Sequence, residues 1–161
     1  MMFRSPTLGL MSLEQVAEDL RTRRRTDEDM HAYHRLVIGT DSQPRANQTE
    51  ATFVTAVILH DVGHGARYYV HKEEHAHMHS LRQRMFTEAS LSIQTGALLT
   101  ERLQPFNEDW HIEIHLDIGE NGVTKQWIRE IVSWIEGNGY EARIKPDAFG
   151  ASKVADRYTK H

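Results

Sequence analysis

The residues best suited to chemistry are acids. Asp41 sits in Thr-Asp-Ser and Asp117 in Leu-Asp-Ile-Gly, each ending a strongly apolar stretch. Glu88 lies in a run of helical period, on the same stripe as Leu81 and Met85. Asp147 and Asp156 both fall in KPDAFGASKVADRYTK near the C-terminus. Carboxylates gathered at one point raise each other's pKa and stay ionised together only if cations hold them. Hard oxygen ligands select magnesium or manganese. Two such ions about 3.5–4 Å apart would activate a water and stabilise the leaving oxygen of a phosphodiester. The chemistry implied is metal-assisted hydrolysis or transfer at phosphorus. Each acid also has a plainer reading. Asp41 and Asp117 could close turns, and Asp147 could cap the final helix. Glu88 could pair with Arg84, and Asp156 with Lys153, Arg157 or Lys160.

Polar neighbours extend the candidate site. Ser42 and Gln43 follow Asp41 and could bond a phosphate or only close a turn. Asn121 lies just beyond Asp117, and Lys145 and Lys153 flank Asp147. These five are the candidate substrate contacts. Histidine is abundant, with 11 residues. In an extended stretch His75, His77 and His79 would share a face able to bind zinc, nickel or copper, or they would be ordinary surface. His111 and His115 share the strand face of Glu113 and Asp117.

The elements that must position these groups are legible as changes of period. Ser12 and Gln15 form a capping box ahead of Leu13, Val16, Ala17 and Leu20, predicting an N-terminal helix. Residues 1–33 are expected to be a helical extension. Three strands follow, at 34–41, 51–61 and 66–75. The second is apolar on both faces, as for a strand covered on both sides, and Val62-Gly63-His64-Gly65 is a hairpin signal. A long helix spans about 80–103. Residues 111–119 alternate strictly, and a helix containing Trp127, Ile128, Ile131 and Ile135 ends at Gly137-Asn138-Gly139. A short strand at 140–147 and a helix at roughly 148–160 complete the chain. The prediction is an α/β fold with a five-stranded mixed sheet. Three antiparallel meander strands gain two parallel strands through helical crossovers, with helices on the faces. This is the element order of the ribonuclease H-like fold, in a single domain over 1–161.

Composition narrows the function. The chain has 161 residues, 39% hydrophobic and 26% charged, which suits a soluble globular domain. No apolar run approaches the roughly 20 residues of a membrane helix. Cysteine is absent, which removes thiol nucleophiles and cysteine-ligated zinc and suits a cytoplasmic location. A net charge of −4 argues against coating nucleic acid by charge alone but not against a nuclease.

The segments IGTDSQ (38–43), FVTAV (53–57), SLRQR (80–84), DIGENG (117–122) and KPDAFGASKVADRYTK (145–160), with SPTLG near the start, resemble the bacterial YkuK-like family of predicted ribonuclease H-like proteins. The resemblance covers nearly the whole chain. It implies an acid on the first strand of that fold, one on its first helix, one on the fourth strand and one on the last helix. Asp41, Glu88, Asp117 and Asp156 match those slots in turn. The last match is the loosest: Asp156 stands deep in its helix, as in resolvase-type members, whereas Asp147 precedes it. The expected activity is two-metal hydrolysis of a nucleic acid, whether RNA, DNA or hybrid, with oligomeric state open. Two alternatives remain. One is a non-catalytic nucleic-acid-binding or adaptor module on the same fold. The other is a histidine-rich transition-metal binder.

Overall fold

Three long apolar stretches, rich in β-branched residues, pair side by side as β3 (His34–Pro44), β4 (Glu50–Asp61) and β5 (Gly65–Ala76), all antiparallel. This is a computed structural model of the chain; the described residues are 1–26, 34–47, 49–61, 65–103, 110–118, 125–144, 154–155 and 158. Before the meander come β1 (Met2–Ser5), β2 (Gly9–Ser12) and helix α1 (Leu13–Thr26). After it come α2 (Leu81–Leu103), β6 (His111–His115), α3 (Lys125–Gly137) and β7 (Glu141–Arg143). Strand β6 lies parallel to β3, and β7 parallel to β6, as helical crossovers require. The sheet order is β2-β1-β5-β4-β3-β6-β7.

The sheet therefore has seven strands rather than the expected five. The difference lies in residues 2–12, which form a β-hairpin and not part of a helical extension. Its turn is local chemistry: Ser5 Oγ accepts from the N–H of Thr7 at 3.4 Å and of Leu8 at 3.3 Å. Gly9 then takes φ 75°, a conformation cheap only for glycine. Phe3 and Met11, opposite each other in the register, bury into the core, while β1 joins β5 through Arg4 and Val70. The N-terminal helix itself starts where expected. Ser12 N–H donates to Gln15 Oε1 at 2.7 Å, and Gln15 N–H to Ser12 Oγ at 3.2 Å, the reciprocal capping box.

The alternation of β3 and β6 sorts side chains onto two faces. Leu36, Ile38, Ile112, Ile114 and Leu116 point toward the helices and join two buried clusters with α1, α2 and α3. Val37, with Val54, Ala56, Ile58 and Val70, points the other way and is covered by Val154, Ala155 and Tyr158. At about 25 cal/mol per Å² of apolar surface removed from water, these two layers account for most of the drive to fold. The final helix predicted at 148–160 is visible here only through Val154, Ala155 and Tyr158, all helical.

Candidate functional site

Asp41 lies inside β3, opposite Val54 of β4, rather than at the strand's end. The strand runs on to Pro44 because β4 continues to pair with it as far as Ala51. On its other side the ladder to β6 stops at Gly39 and His115. Asp41 thus stands just past the end of the parallel ladder, half-buried. Asp117 stands two residues past the same end on β6, exposed. Leu116 N–H donates to the Arg143 carbonyl at 2.8 Å, and Leu116 and Ile118 both pack toward the helices, so the alternation persists through Asp117. Asp41 and Asp117 thus each lie two residues beyond the last pair of the parallel ladder. Adjacent strands lie about 4.8 Å apart.

Glu88 comes from α2, which is tied to β3 at this point. Ser80 caps α2, its Oγ accepting the Gln83 N–H at 3.1 Å while Gln83 Oε1 accepts the His79 N–H at 2.9 Å. One helical turn beyond Glu88, Ser92 Oγ bonds Thr40 Oγ1 at 2.8 Å, and Thr40 reaches Thr55 at 3.0 Å, all buried. With the helix so fixed, Ser42 Oγ donates to Glu88 Oε1 at 2.5 Å. The sequence alternative of a simple pair with Arg84 is replaced by this bond; Arg84 Nη1 instead points at Ser42 Oγ from 3.5 Å. Burial pushes the Glu88 carboxyl up to about 8, and the neighbouring charge of Asp41 pushes the same way against the bond from Ser42. Ser42, expected beside the site, is buried within it, while Gln43 is exposed.

Burial and the charge of Asp41 thus favour the protonated Glu88 carboxyl. The donor set of carboxylate oxygens and a hydroxyl suits magnesium or manganese. Asp41, Glu88 and Asp117 are not, however, drawn within 4.8 Å of one another. Among the described residues the group that meets that spacing is His111, Glu113 and Glu141. Asn121, Lys145, Asp147, Lys153 and Asp156 lie outside the described residues. The donor types suit a hard cation, but as placed the three acids do not meet the spacing of one shared ion.

The histidine expectation is overturned in its geometry. The strand ends at Ala76, and His77 takes φ 60°, so His75, His77 and His79 do not stay on one extended face. His71 and His75 instead hydrogen-bond the two oxygens of Glu73 at 2.7 and 2.5 Å. The group that sequence reasoning did not assemble lies on β6 and β7. His111, Glu113 and His115 were visible on one face of a strictly alternating strand. Their partners Arg35, Glu141 and Arg143 depend on a parallel register that no local pattern encodes.

An antiparallel meander extended by two parallel strands, with acids at the open end of the parallel ladder, marks a ribonuclease H-like protein, and the chain belongs to that family. The family model described as ribonuclease H-like matches residues 15–160. A relative of similar length is the uncharacterized protein YkuK of Bacillus subtilis (strain 168). It is 36% identical over 163 residues, covering 93% of this chain and 92% of the relative. No solved structure matches the chain. Among the described residues no helix is long and apolar enough to cross a membrane.

Proposed function

We propose that this protein is a metal-dependent nuclease that hydrolyses nucleic acid phosphodiesters. The reading is supported by Asp41 and Asp117 each following the last pair of the parallel β3–β6 ladder by two residues, with Ser42, next to Asp41, bonding Glu88. Bound magnesium or manganese would supply an activated water and stabilise charge on the leaving oxygen. The chain's own part is to hold the ligands. Asp41 and Asp117 are the primary carboxylates, Glu88 joins them on losing its proton, and Asp156 or Asp147 completes the set for a second ion. Ser42 orients Glu88. Arg84, beside Ser42, offers positive charge to a phosphate. Gln43, Asn121, Lys145 and Lys153 are proposed to contact the substrate backbone.

The test is a panel of labelled RNA, DNA and hybrid substrates with magnesium or manganese, comparing the natural chain with Asp41→Asn and Asp117→Asn. Cleavage by the natural chain should fall by at least about a hundredfold in both variants, with folding checked by thermal melting. Cleavage that persists in both variants overturns the assignment. The spacing of Asp41, Glu88 and Asp117, wider than 4.8 Å as a group, favours a second reading, a non-catalytic nucleic-acid-binding module on the same fold. Metal-independent binding without cleavage of any substrate in the panel would select it.

A further inference from the structure

We propose that His111, Glu113 and Glu141 form a transition-metal site of the zinc type on β6 and β7, separate from the Asp41–Glu88 site. The parallel register sets Glu113 directly opposite Glu141 and Arg35 opposite His111. Each carboxylate gives one oxygen to a guanidinium: Glu113 Oε2 accepts from Arg35 Nε, and Glu141 Oε1 pairs with Arg143 Nη2. The other two oxygens turn toward one imidazole nitrogen. Glu141 Oε2 is 2.6 Å from His111 Nε2, and Glu113 Oε1 is 3.8 Å from it. The three ligand atoms lie within 4.8 Å of one another. The arginines therefore act as outer partners that fix which oxygen faces inward, as hydrogen-bonded neighbours do in metal sites. His115 Nε2 adds a hold on Glu113 Oε2 at 3.3 Å.

One imidazole nitrogen and two carboxylate oxygens are a donor set for zinc, with bonds of about 2.0–2.2 Å. Tetrahedral geometry then asks for roughly 3.3–3.5 Å between ligand atoms. The 2.6 Å contact must open and the 3.8 Å contact close, each by less than about 1 Å. The His111 and Glu141 side chains are 40% and 35% exposed, which gives the ion an entry path and room for a water ligand. Glu113 by contrast is buried, which anchors the site. Arg143 Nε, 3.9 Å from Glu113 Oε1, makes no hydrogen bond there and leaves that oxygen to the ion. The two guanidiniums already offset the two carboxylates, so affinity will be below that of a closed structural zinc site. Six residues of extended chain, roughly 20 Å, separate His111 from Asp117.

The test is titration of the full chain with zinc ions by calorimetry, with excess magnesium present to occupy the acidic site. The natural chain should bind one equivalent. His111→Ala and Glu141→Gln, both half-exposed, should each weaken that binding at least about tenfold. Glu73→Gln, which removes the other histidine–carboxylate group, should not. Imidazole NMR of the unmodified chain reads the same event without mutation, since zinc should shift His111 before the other histidines. Zinc binding that is unchanged in His111→Ala, that disappears in Glu73→Gln, or that shifts histidines other than His111 first overturns the proposal.

Discussion

Glu88 carries the sharpest electrostatic conflict in the candidate site. Its carboxyl, ordinarily near 4.5, is held at about 8 by burial and by the charge of Asp41. The folded protein therefore keeps a proton that the unfolded chain has already lost. Stability falls wherever the folded state binds more protons, so it should decline as pH rises from about 4.5 to about 8 and level off above. Glu88→Gln cannot ionise and should lose that decline. Thermal melting in a chelator should show the variant and the natural chain converging near pH 5, with the variant clearly ahead at pH 8.5. Equal pH profiles would remove the conflict. A divalent cation should restore the natural chain at high pH, because it stabilises the ionised pair. Glu113 shows the opposite balance. Burial pushes its carboxyl up, but hydrogen bonds from Arg35 and His115, with the charge of Arg35, hold it below the usual carboxylate range. Its ion pairs are therefore retained at neutral pH and lost on acidification.

At the scale of elements, the end of α3 decides where β7 begins. Gly139 takes φ 89°, while its N–H donates to the Glu136 carbonyl and the Tyr140 N–H to that of Ile135. No atom crowds a Cβ added there, so Gly139→Ala meets only backbone strain. A loss of about 1 kcal/mol by urea denaturation is expected, with β7 and its Glu141 the elements most exposed to any shift. This helix end was readable from Gly137-Asn138-Gly139, as was the Ser12–Gln15 capping box, because such signals are local. The long strands and their meander were readable from apolar patterning. The β1–β2 hairpin was not: four residues per strand are too few for alternation to stand out, and its turn relies on one serine hydroxyl. The continuation of β3 beyond Asp41 was equally hidden. Ser42, Gln43 and Pro44 look like a turn, and only the length of β4 keeps them in the sheet. Asp41 and Asp117 were legible as acids following apolar stretches on neighbouring strands, although Asp41 lies inside β3 rather than at its end. The His111–Glu113–Glu141 group was not, since Glu141 reaches it only through register.

For the whole molecule, the two faces of the sheet have unequal cover. Helices α1, α2 and α3 all pack on one face, whereas the described cover of the other is Val154, Ala155 and Tyr158. Ala155 is fully buried against Val37, Val54, Ala56, Ile58 and Val70, and the ring of Tyr158 meets Tyr68 edge-on at 6.5 Å. Asp41 alternates onto this same face as Val37. If that small contact holds the C-terminal segment, one buried charge should release it. Ala155→Glu would bury an unpaired carboxylate among five aliphatic side chains, at a cost of several kcal/mol unless the segment detaches. Detachment gives up, among the described residues, the apolar contacts of Val154, Ala155 and Tyr158. The expected result is a folded core with a lower melting temperature and a C-terminal segment that limited proteolysis removes first. Ala155→Ser, which adds a single hydroxyl, should stay close to the natural chain, within about 1–2 kcal/mol. Global unfolding of Ala155→Glu with no protected fragment would show instead that the two faces of the sheet cannot be stable one without the other.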